Sequence, residues 1–176
     1  MNMDITGLVR EARYGNAEAF GELYELYSRE MFTYAYAMVH NETDAADAVS
    51  EAALEAFKQV KNLRDETKFK WWLFKILNAA CKRQYIKSTA GFDFVYIDDE
   101  DKPLNDLTAK QGDSELSYDL ERTLSTLDRE EKEIVMLSVV HEYTSTEIAE
   151  ITGLNPSTVR SKLKRALKKC RDNFPS

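Results

Sequence analysis

Residues 144–171 read TSTEIAEITGLNPSTVRSKLKRALKKCR, and this stretch decides the fold of the C-terminal part of the chain. Thr144 and Glu147 stand three residues apart, which is the spacing of a capping box at the start of a helix. Gly153 is typical of the left-handed residue that ends a helix, and Asn155, directly before a proline, predicts the start of a second helix. The stretch therefore predicts a short helix, a tight turn and a longer helix, which together form a helix-turn-helix.

The second helix of this stretch predicts a surface that binds duplex DNA. Its outward face consists of Ser157, Thr158, Arg160, Ser161, Lys164 and Arg165. Arginine can form two hydrogen bonds to guanine in the major groove, and serine, threonine and lysine contact bases or phosphates. The alternative is a basic amphipathic helix that only faces solvent. Residues 157–171 contain seven basic residues and no acid, which favours the DNA-binding interpretation.

The charge distribution indicates two separate polyanion-binding regions in an acidic chain. The whole protein has a formal net charge of −7, which by itself argues against nucleic acid. Residues 61–90, however, contain eight basic and two acidic residues, and residues 132–176 contain eight basic and five acidic residues. The remaining two segments are strongly acidic. Such segregation is typical of local binding to a polyanion.

The composition predicts a soluble, cytosolic and helical protein. Of its 176 residues, 43% are hydrophobic and 31% are charged, and only six are glycine and three proline. No apolar run approaches the ~20 residues needed to cross a bilayer, and the N-terminus lacks a secretion signal. Cys81, Cys170, His40 and His141 have no metal or redox spacing. We therefore expect an all-α protein that is not an enzyme and has no cofactor, metal or catalytic site.

The first 88 residues show helical periodicity and predict an N-terminal domain over residues 1–88. A short helix is predicted over Asp4–Arg13, and Asn16 is a typical N-cap for the long helix that follows. The apolar stripe of this long helix consists of Phe20, Leu23, Tyr27, Met31, Tyr34 and Met38.

Two further helices are predicted within this domain. Thr43 predicts the start of the third helix, whose expected apolar face consists of Ala46, Val49, Ala53, Phe57 and Val60. The fourth helix is predicted from Thr67 to about Lys87. Its expected apolar face consists of Phe69, Trp72, Leu73, Ile76, Leu77 and Ala80.

The fourth helix mixes basic and aromatic residues in a pattern that suits single-stranded nucleic acid. Aromatic rings stack on unpaired bases, which contributes ~1–3 kcal/mol per base, and nearby cations neutralise the backbone. Trp72 falls on the apolar face and is expected in the core, whereas Trp71 and Phe74 lie off that face. The alternative is a solvated amphipathic helix. The candidate contact residues are Lys68, Lys70, Trp71, Phe74, Lys75, Lys82 and Arg83.

The acidic N-terminal segment is expected to stay away from nucleic acid. Asp44, Asp47 and Glu51 lie on one face of the third helix, because Asp47 and Glu51 follow Asp44 by three and seven residues. Two interpretations stay open for these carboxylates. They complement the helix dipole and keep the protein soluble, or they form a docking face for a basic protein surface.

Residues 89–113 interrupt the helical periodicity and predict a flexible acidic linker to a C-terminal domain over residues 114–176. The run Asp98–Asp101 contains four consecutive acids, and proline and glycine breakers follow it. The apolar stretch Phe92–Ile97 is unusual for a free tether, and we expect it to pack on its own domain. Helical periodicity then resumes, and Asp128, with a glutamate three residues later, predicts a capping box.

Taken in order, these segments resemble the bacterial extracytoplasmic-function sigma factors, a small two-domain class of RNA polymerase specificity subunits. Asp44–Glu51 (DAADAVSE) is similar to the acidic helix of that family, and Phe69–Ile76 (FKWWLFKI) is similar to its aromatic and basic segment. Leu127–Glu130 (LDRE) followed by Tyr143–Arg171 is similar to its C-terminal helix-turn-helix domain. The resemblance covers nearly the whole chain in the right order and spacing.

The resemblance implies a function in transcription initiation. It implies that Asp44, Asp47 and Glu51 bind the clamp helices of the largest polymerase subunit. It also implies that the aromatic and basic segment opens the minus-ten promoter element and holds its non-template strand, and that the C-terminal domain reads the minus-thirty-five element. The implied partners are core RNA polymerase, promoter DNA and an anti-sigma protein, and the chain would act as a monomer within the holoenzyme.

One residue of the minus-ten segment departs from the family pattern. The family often has an asparagine, implicated in recognising a flipped base, at the position of Ala79. Here the asparagine is Asn78, which lies one residue earlier and about 100° around the helix. Asn78 is therefore added to the candidate single-strand contacts by resemblance, with a different orientation from the family pattern.

Two other functions remain compatible with the residues alone. A helix-turn-helix regulator with an N-terminal dimerisation or sensing domain would bind a two-fold symmetric site as a dimer, whereas a sigma factor uses an asymmetric site. A helical adaptor that binds only proteins would support no promoter-dependent transcription.

Overall fold

The computed structural model describes residues 4–90 and 122–173, and within these ranges it contains helices and turns but no strands. This confirms the predicted all-α fold. The helices are α1 (Ile5–Arg13), α2 (Ala17–Val39), α3 (Glu42–Gln59), α4 (Phe69–Thr89), α5 (Arg129–Val135), α6 (Ser145–Thr152) and α7 (Pro156–Asn173). Helices α1–α4 pack together as an N-terminal unit, and α5–α7 pack together as a C-terminal unit.

Helix α2 is the central helix of the N-terminal unit. Asn16 caps it as predicted, because the Asn16 Oδ1 atom accepts hydrogen bonds from the backbone N–H groups of Glu18 and Ala19 at 3.0 and 3.2 Å. All six residues of the predicted apolar stripe are buried. The stripe faces α1, α3 and α4, so this single helix organises the whole unit.

Helix α3 begins earlier than predicted, and its predicted apolar face is only partly confirmed, since Val49 and Val60 are buried but Ala46 and Phe57 are exposed. Asn41 rather than Thr43 is the N-cap, since the Asn41 side chain accepts a hydrogen bond from the backbone N–H of Asp44 at 2.9 Å. The buried face consists of Ala45, Ala48, Val49, Ala52 and Ala56. The small side chains of the alanines on this face let α3 approach α2 and α4 closely. Phe57 instead lies at the edge, 46% exposed and edge-to-face with Phe20.

Helix α4 is buried on two sides. Phe69, Leu73 and Leu77 pack into the N-terminal unit as predicted, whereas Trp72 and Ile76 are only half-buried. Its other buried side consists of Phe74, Asn78, Cys81 and Gln84. On this second side, Phe74 and Asn78 contact the C-terminal unit, whereas Gln84 bonds to Glu51 of α3.

The C-terminal unit starts with the predicted capping boxes. Asp128 and Glu131 bond reciprocally at the start of α5, and Thr144 and Glu147 do the same at the start of α6. Between these helices, Met136–Val140 forms a π-helical turn. Both predictions of helix starts are therefore confirmed.

Helices α6 and α7 form the predicted helix-turn-helix. Gly153 ends α6 with a φ of 80°, a left-handed conformation that favours glycine. Asn155 Oδ1 accepts a hydrogen bond from the backbone N–H of Ser157 at 2.9 Å and so caps α7. Val159 and Ala166 of α7 are buried, whereas Leu167 is 43% exposed and does not belong to the core.

Several predicted features lie outside the described residues. They include the apolar stretch Phe92–Ile97 and the acidic run Asp98–Asp101. Thr89, which was assigned to the linker, is the last residue of α4. Among the helices of residues 4–90 and 122–173, none combines the length and the apolar character that a bilayer span requires.

We expect Met31→Ala to lower the free energy of unfolding by about 2–5 kcal/mol, because Met31 is fully buried on α2 and its truncation leaves a cavity. Leu54→Ala is the matched control, since Leu54 is exposed on α3, and this change should alter stability by less than about 0.5 kcal/mol. Urea unfolding followed by circular dichroism measures both variants. Equal losses would contradict the core position of α2.

Candidate nucleic-acid interface

The outward face of α7 is accessible in the folded chain. Ser157, Arg160, Ser161, Lys164 and Arg165 are exposed, and Thr158, the sixth predicted residue, is half-buried. Among residues 4–90 and 122–173, no carboxylate lies within ion-pair distance of the three basic side chains on this face. All six predicted residues therefore lie on one surface, and the three basic side chains of this surface are available to contact phosphates or bases.

Two other basic residues of α7 have a structural role. Lys162 Nζ lies 2.6 Å from Glu130 Oε2, and Lys169 Nζ lies 2.8 Å from both carboxylate oxygens of Glu131. These ion pairs fasten α7 to the start of α5. The basic residues of the helix are thus divided between one side that braces it and one side that is open to a ligand.

Five of the eight predicted single-strand contacts lie against the C-terminal unit, and we call them the α4 face. They are Lys68, Trp71, Phe74, Asn78 and Lys82. The other three, Lys70, Lys75 and Arg83, have partners within the N-terminal unit.

The first two residues of the α4 face contact the start of α6. The Lys68 ammonium lies 3.0 Å from Glu147 Oε1, and the Trp71 indole Nε1 donates a hydrogen bond to the Glu147 carbonyl oxygen at 3.3 Å. The backbone hydrogen bond from Thr144 and the nearby Lys68 ammonium lower the pKa of the Glu147 carboxyl. Glu147 therefore caps α6 and attracts α4 with the same carboxylate.

Asn78 and Lys82 contact the last turn of α6. Asn78 is only 2% exposed, and its Nδ2 atom donates to the Ile151 carbonyl at 3.4 Å while its Oδ1 atom accepts from the Tyr34 hydroxyl at 2.9 Å. Lys82 Nζ donates to the Thr152 carbonyl at 3.3 Å and lies 3.3 Å from Glu133 Oε1. These carbonyls are left without intrahelical partners at a helix end, so α4 supplies the donors that they lack.

The position of Phe74 differs most clearly from the sequence prediction, which placed this ring off the apolar face of the fourth helix. Its ring is fully buried, with ring centres at 5.7 Å from Tyr34, 4.3 Å from His141 and 6.5 Å from Tyr143. In this arrangement it cannot stack on a base. Two of its three aromatic neighbours belong to the C-terminal unit, more than 60 residues away, and helical periodicity carries no information about them.

The three remaining candidate residues do not share one surface. Lys70 pairs with Glu30 at 2.7 Å, and the exposed Lys75 lies over the Trp71 ring with its Nζ atom 5.3 Å from the ring centre. Arg83 points to α3, where its Nε atom lies 2.6 Å from Glu51 Oε1. The basic side chains of α4 therefore point in several directions and do not form the single basic surface that the sequence pattern indicates.

The predicted acidic docking residues also differ from one another. Asp47 is exposed and Asp44 is half-buried, whereas Glu51 is held by Arg83 and Gln84 of α4. Next to them, a groove of about 500 Å³ runs between α2 and α3. It is lined by Tyr24, Ser28, Arg29, Phe32, Thr33, Ala46, Val49 and Ser50.

The sequence did not predict this groove, although it contains a signal for it. Tyr24 and Phe32 lie off the apolar stripe of α2, and both remain partly exposed in the folded chain. Exposed aromatic residues on an otherwise amphipathic helix are typical of a surface that meets a protein partner.

Comparison with known families identifies the chain. A model of sigma-70 region 2 matches residues 23–90, and a model of sigma-70 region 4 matches residues 117–170. The RNA polymerase sigma factor SigV of Bacillus subtilis is 31% identical over 142 residues, which span 81% of this chain and 82% of SigV. The chain belongs to the extracytoplasmic-function sigma factors. It is a factor for transcription initiation, and this class does not catalyse a reaction of its own.

Further relatives of this sigma factor cover nearly its whole length. The extracytoplasmic-function sigma factor SigW of Bacillus subtilis is 22% identical over 178 residues, 94% of each chain. Among solved structures, CnrH in complex with the cytosolic domain of CnrY matches with a TM-score of 0.68 and 22% identity, covering 96% of this chain and 95% of that chain. Since identity is this low, the structural match shows a common fold. The matches do not favour the dimeric regulator considered above.

The buried imidazole of His141 predicts a pH dependence of stability. Burial, and then the charge of Lys70, lower the pKa of His141 to about 4, and the nearest carboxylate, Glu30, is 3.6 Å away. Between about pH 6.5 and 4 the unfolded chain therefore binds a proton at this position that the folded chain does not, so stability falls as the pH falls through that window.

Across this pH window, His141 should lower the free energy of unfolding of the unchanged protein by an amount on the order of 2–4 kcal/mol. We expect His141→Phe to abolish this decrease, because phenylalanine keeps the ring contacts but does not titrate. Urea unfolding of both proteins at pH 7, 5.5 and 4.5 measures the difference. His40, whose pKa burial also lowers, is present in both proteins and cancels. Parallel pH profiles would contradict a neutral buried His141.

Proposed function

We propose that this sigma factor binds core RNA polymerase through α2 and α3 and recognises a promoter at two places. Helix α7 reads the minus-thirty-five element as duplex, and the residues of α4 hold the single strand of the opened minus-ten element. The observation that carries this proposal is the exposed outward face of α7, whose three basic side chains have no acidic partner among the described residues.

The geometry of α7 suits entry into the major groove. Its N-terminal half presents Arg160, Ser161 and Lys164 on the side that faces away from α5 and α6. Recognition helices contact base edges with their N-terminal residues while the preceding helix crosses the backbone. We assign base contact to Arg160 and phosphate contact to Lys164 and Arg165.

The chemistry of α4 suits unpaired bases. Trp71 and Phe74 provide flat rings for stacking, Asn78 provides a carboxamide that can bond to a base edge, and Lys68 and Lys82 provide charge for phosphates. Lys75 is exposed and available without any rearrangement. The α4 face becomes available to a strand when the C-terminal unit moves away from it.

The groove between α2 and α3 suits the polymerase. It combines the partly exposed rings of Tyr24 and Phe32 with the acidic residues Asp44 and Asp47 at its side. An apolar centre with a charged rim is the usual anatomy of a protein interface. We assign Glu51 a supporting role, because Arg83 already pairs with it.

The domain boundaries and the remaining partners belong to the same proposal. We propose two domains, an N-terminal one that ends with α4 at Thr89 and a C-terminal one over residues 114–176, joined by a linker. The two family matches, over residues 23–90 and 117–170, support this division. The factor would act as a monomer within the holoenzyme, in the cytoplasm, without a cofactor. An anti-sigma protein is a further proposed partner, since RpoE of Bartonella quintana, a structural match with a TM-score of 0.66, is in complex with the anti-sigma factor NepR.

Run-off transcription with purified core polymerase and fragments of genomic DNA tests the function as a whole. Discrete transcripts that require the factor are the expected result. Transcription that does not depend on the factor, or dimeric binding to a two-fold symmetric site without polymerase, would contradict the proposal.

Arg160→Ala should weaken promoter binding by ~1–3 kcal/mol and relax the sequence preference at one upstream position, because a bidentate contact to a base is lost. Selection of bound promoters from a randomised library with holoenzyme measures the preference. Arg122→Ala, an exposed arginine outside α7, is the control and should change neither quantity. A uniform loss of affinity across sequences would reassign Arg160 to phosphate.

Asp47→Lys should weaken binding to core polymerase at least several-fold, because it places a like charge against the proposed basic partner surface. Fluorescence anisotropy of the labelled factor titrated with core polymerase measures this. Glu142→Lys makes the same charge change at an exposed position in the C-terminal unit and should leave the affinity unaltered. Equal effects of the two variants would contradict the assignment of α3 to the docking surface.

A further inference from the structure

Helix α1 lies outside both segments of the chain that match the sigma-70 family models. Those matches cover residues 23–90 and 117–170, whereas α1 covers Ile5–Arg13. In the folded chain, α1 packs against α2 and also against residues 60–68, the connection between α3 and α4. We call this connection the α3–α4 segment. The family matches therefore assign no role to a helix that contacts the entry to α4.

The α3–α4 segment has little regular structure of its own. It contains one 3₁₀ turn at each end, Val60–Asn62 and Glu66–Lys68, and the second turn leads directly into α4. Asp65 caps this second turn, since its Oδ1 atom accepts hydrogen bonds from the backbone N–H and the hydroxyl of Thr67 at 3.0 and 2.6 Å. Single helical turns are only marginally stable in isolation, so the segment depends on the elements that pack against it.

Two arginines of α1 hold the α3–α4 segment through one carboxylate. Arg13 Nη1 donates to Glu66 Oε1 at 2.7 Å, and Arg10 Nη2 donates to Glu66 Oε2 at 3.3 Å. The two arginines lie three residues apart in the last turn of α1, on one face of the helix, where the helix dipole also favours positive charge. Because each carboxylate oxygen accepts from its own guanidinium, the orientation of Glu66 is fixed. We call these two ion pairs the α1 brace.

Apolar packing supports the same attachment. Four side chains of α1 and the α3–α4 segment are buried in one core cluster, namely Val9, Ala12, Val60 and Leu63. The side chain of Glu66 is only 18% exposed. The α1 brace is therefore partly sheltered from water, which strengthens an ion pair relative to one that is fully exposed.

The α3–α4 segment carries two free cations just before the start of α4. Lys61 and Arg64 are exposed, and no carboxylate of residues 4–90 or 122–173 lies within ion-pair distance of either. Lys68, the last residue of the segment, pairs with Glu147 instead. The place of these two cations relative to α4 is set by the segment that carries them, and hence by the α1 brace.

We propose that α1 is a positioning element of the minus-ten interface, with Arg10, Arg13 and Glu66 as its positioning residues. The α1 brace keeps the α3–α4 segment, and with it Lys61 and Arg64, in a fixed place next to the start of α4. The segment does not have to be ordered when the strand binds, so less conformational entropy is lost and the promoter opens faster. This inference rests on the proposed role of α4 in holding the minus-ten strand.

Proteolysis of the free full-length chain tests the α1 brace without any DNA. Glu66→Arg places a third cation beside the two arginines, and we expect it to speed cleavage after Lys61 by a lysine-specific protease several-fold. The introduced side chain is not a site for this protease. Glu11→Arg makes the same charge change at an exposed position of α1 and should leave the cleavage rate unaltered. Equal rates in the two variants would overturn the inference.

Exchange of the two charges tests whether the ion pair itself matters. Arg13→Glu combined with Glu66→Arg restores an opposite pair and the net charge of the brace, so cleavage should return most of the way to the rate of the unchanged chain. Ion pairs near the surface add little to global stability, so the thermal midpoints of these variants should stay close together. If Glu66→Arg unfolds the chain, Glu66→Gln, which keeps the size of the side chain, takes its place with the same expected direction. A double variant that is cleaved as fast as Glu66→Arg would contradict the brace.

Promoter opening by the holoenzyme tests the function of the α1 brace. Permanganate oxidises unpaired thymines and so measures opening on a promoter fragment recovered from run-off transcription. Glu66→Arg should slow opening at least several-fold, the double variant should restore it, and the affinity for core polymerase, measured by fluorescence anisotropy, should not change. A purely electrostatic effect would have the opposite sign, because added positive charge attracts DNA.

Failure of this inference and failure of the proposed function give different results. If the unchanged factor opens no promoter fragment, the proposed function fails. If it opens one, and Glu66→Arg opens the same fragment equally fast, the proposed function stands and only the positioning role of α1 is refuted.

Discussion

The hydrogen bonds of Asn78 are the contact on which the arrangement of the two units depends. Its carboxamide lies between the Tyr34 hydroxyl of the N-terminal unit and the Ile151 carbonyl of the C-terminal unit, and it is almost completely buried. A buried amide is tolerated only when its polar atoms are bonded, so separation of the units requires another partner or water at this position. Exposed ion pairs such as Lys68–Glu147 contribute little to stability by themselves. The buried part of the interface includes Asn78 and Phe74.

The charged residues are sorted by the helices that carry them. In α7, Lys162 and Lys169 face α5 and pair with glutamates, whereas Arg160 and Lys164 face solvent. In α4, Lys82 and Arg83 are neighbours in sequence but point to opposite units, because one residue turns the helix by about 100°. An acidic sigma factor can therefore present a basic surface locally, and its own carboxylates decide which cations remain free for a promoter.

Local features of the chain could be predicted because their causes are local. The N-cap at Asn16, the two capping boxes and the turn at Gly153 depend on residues a few positions apart, and the apolar stripe of α2 repeats with the period of the helix. The predicted face of α3 was only partly correct. Val49 and Val60 are buried as expected, but four alanines form most of the buried face of α3, and the large Phe57 was given too much weight. Alanine is nearly neutral in a hydropathy pattern, and close packing of helices selects it for its size.

The amino-acid sequence by itself determined the all-α class, the helix-turn-helix and its outward basic face, because periodicity, capping and charge are written within single helices. Only the tertiary structure decided that Phe74 is buried, that Asn78 bonds to α6 and that Lys68 and Lys82 meet glutamates of the other unit. These contacts join residues 51 to 79 positions apart. No periodic pattern encodes them, because they arise from the fit of two separately folded surfaces.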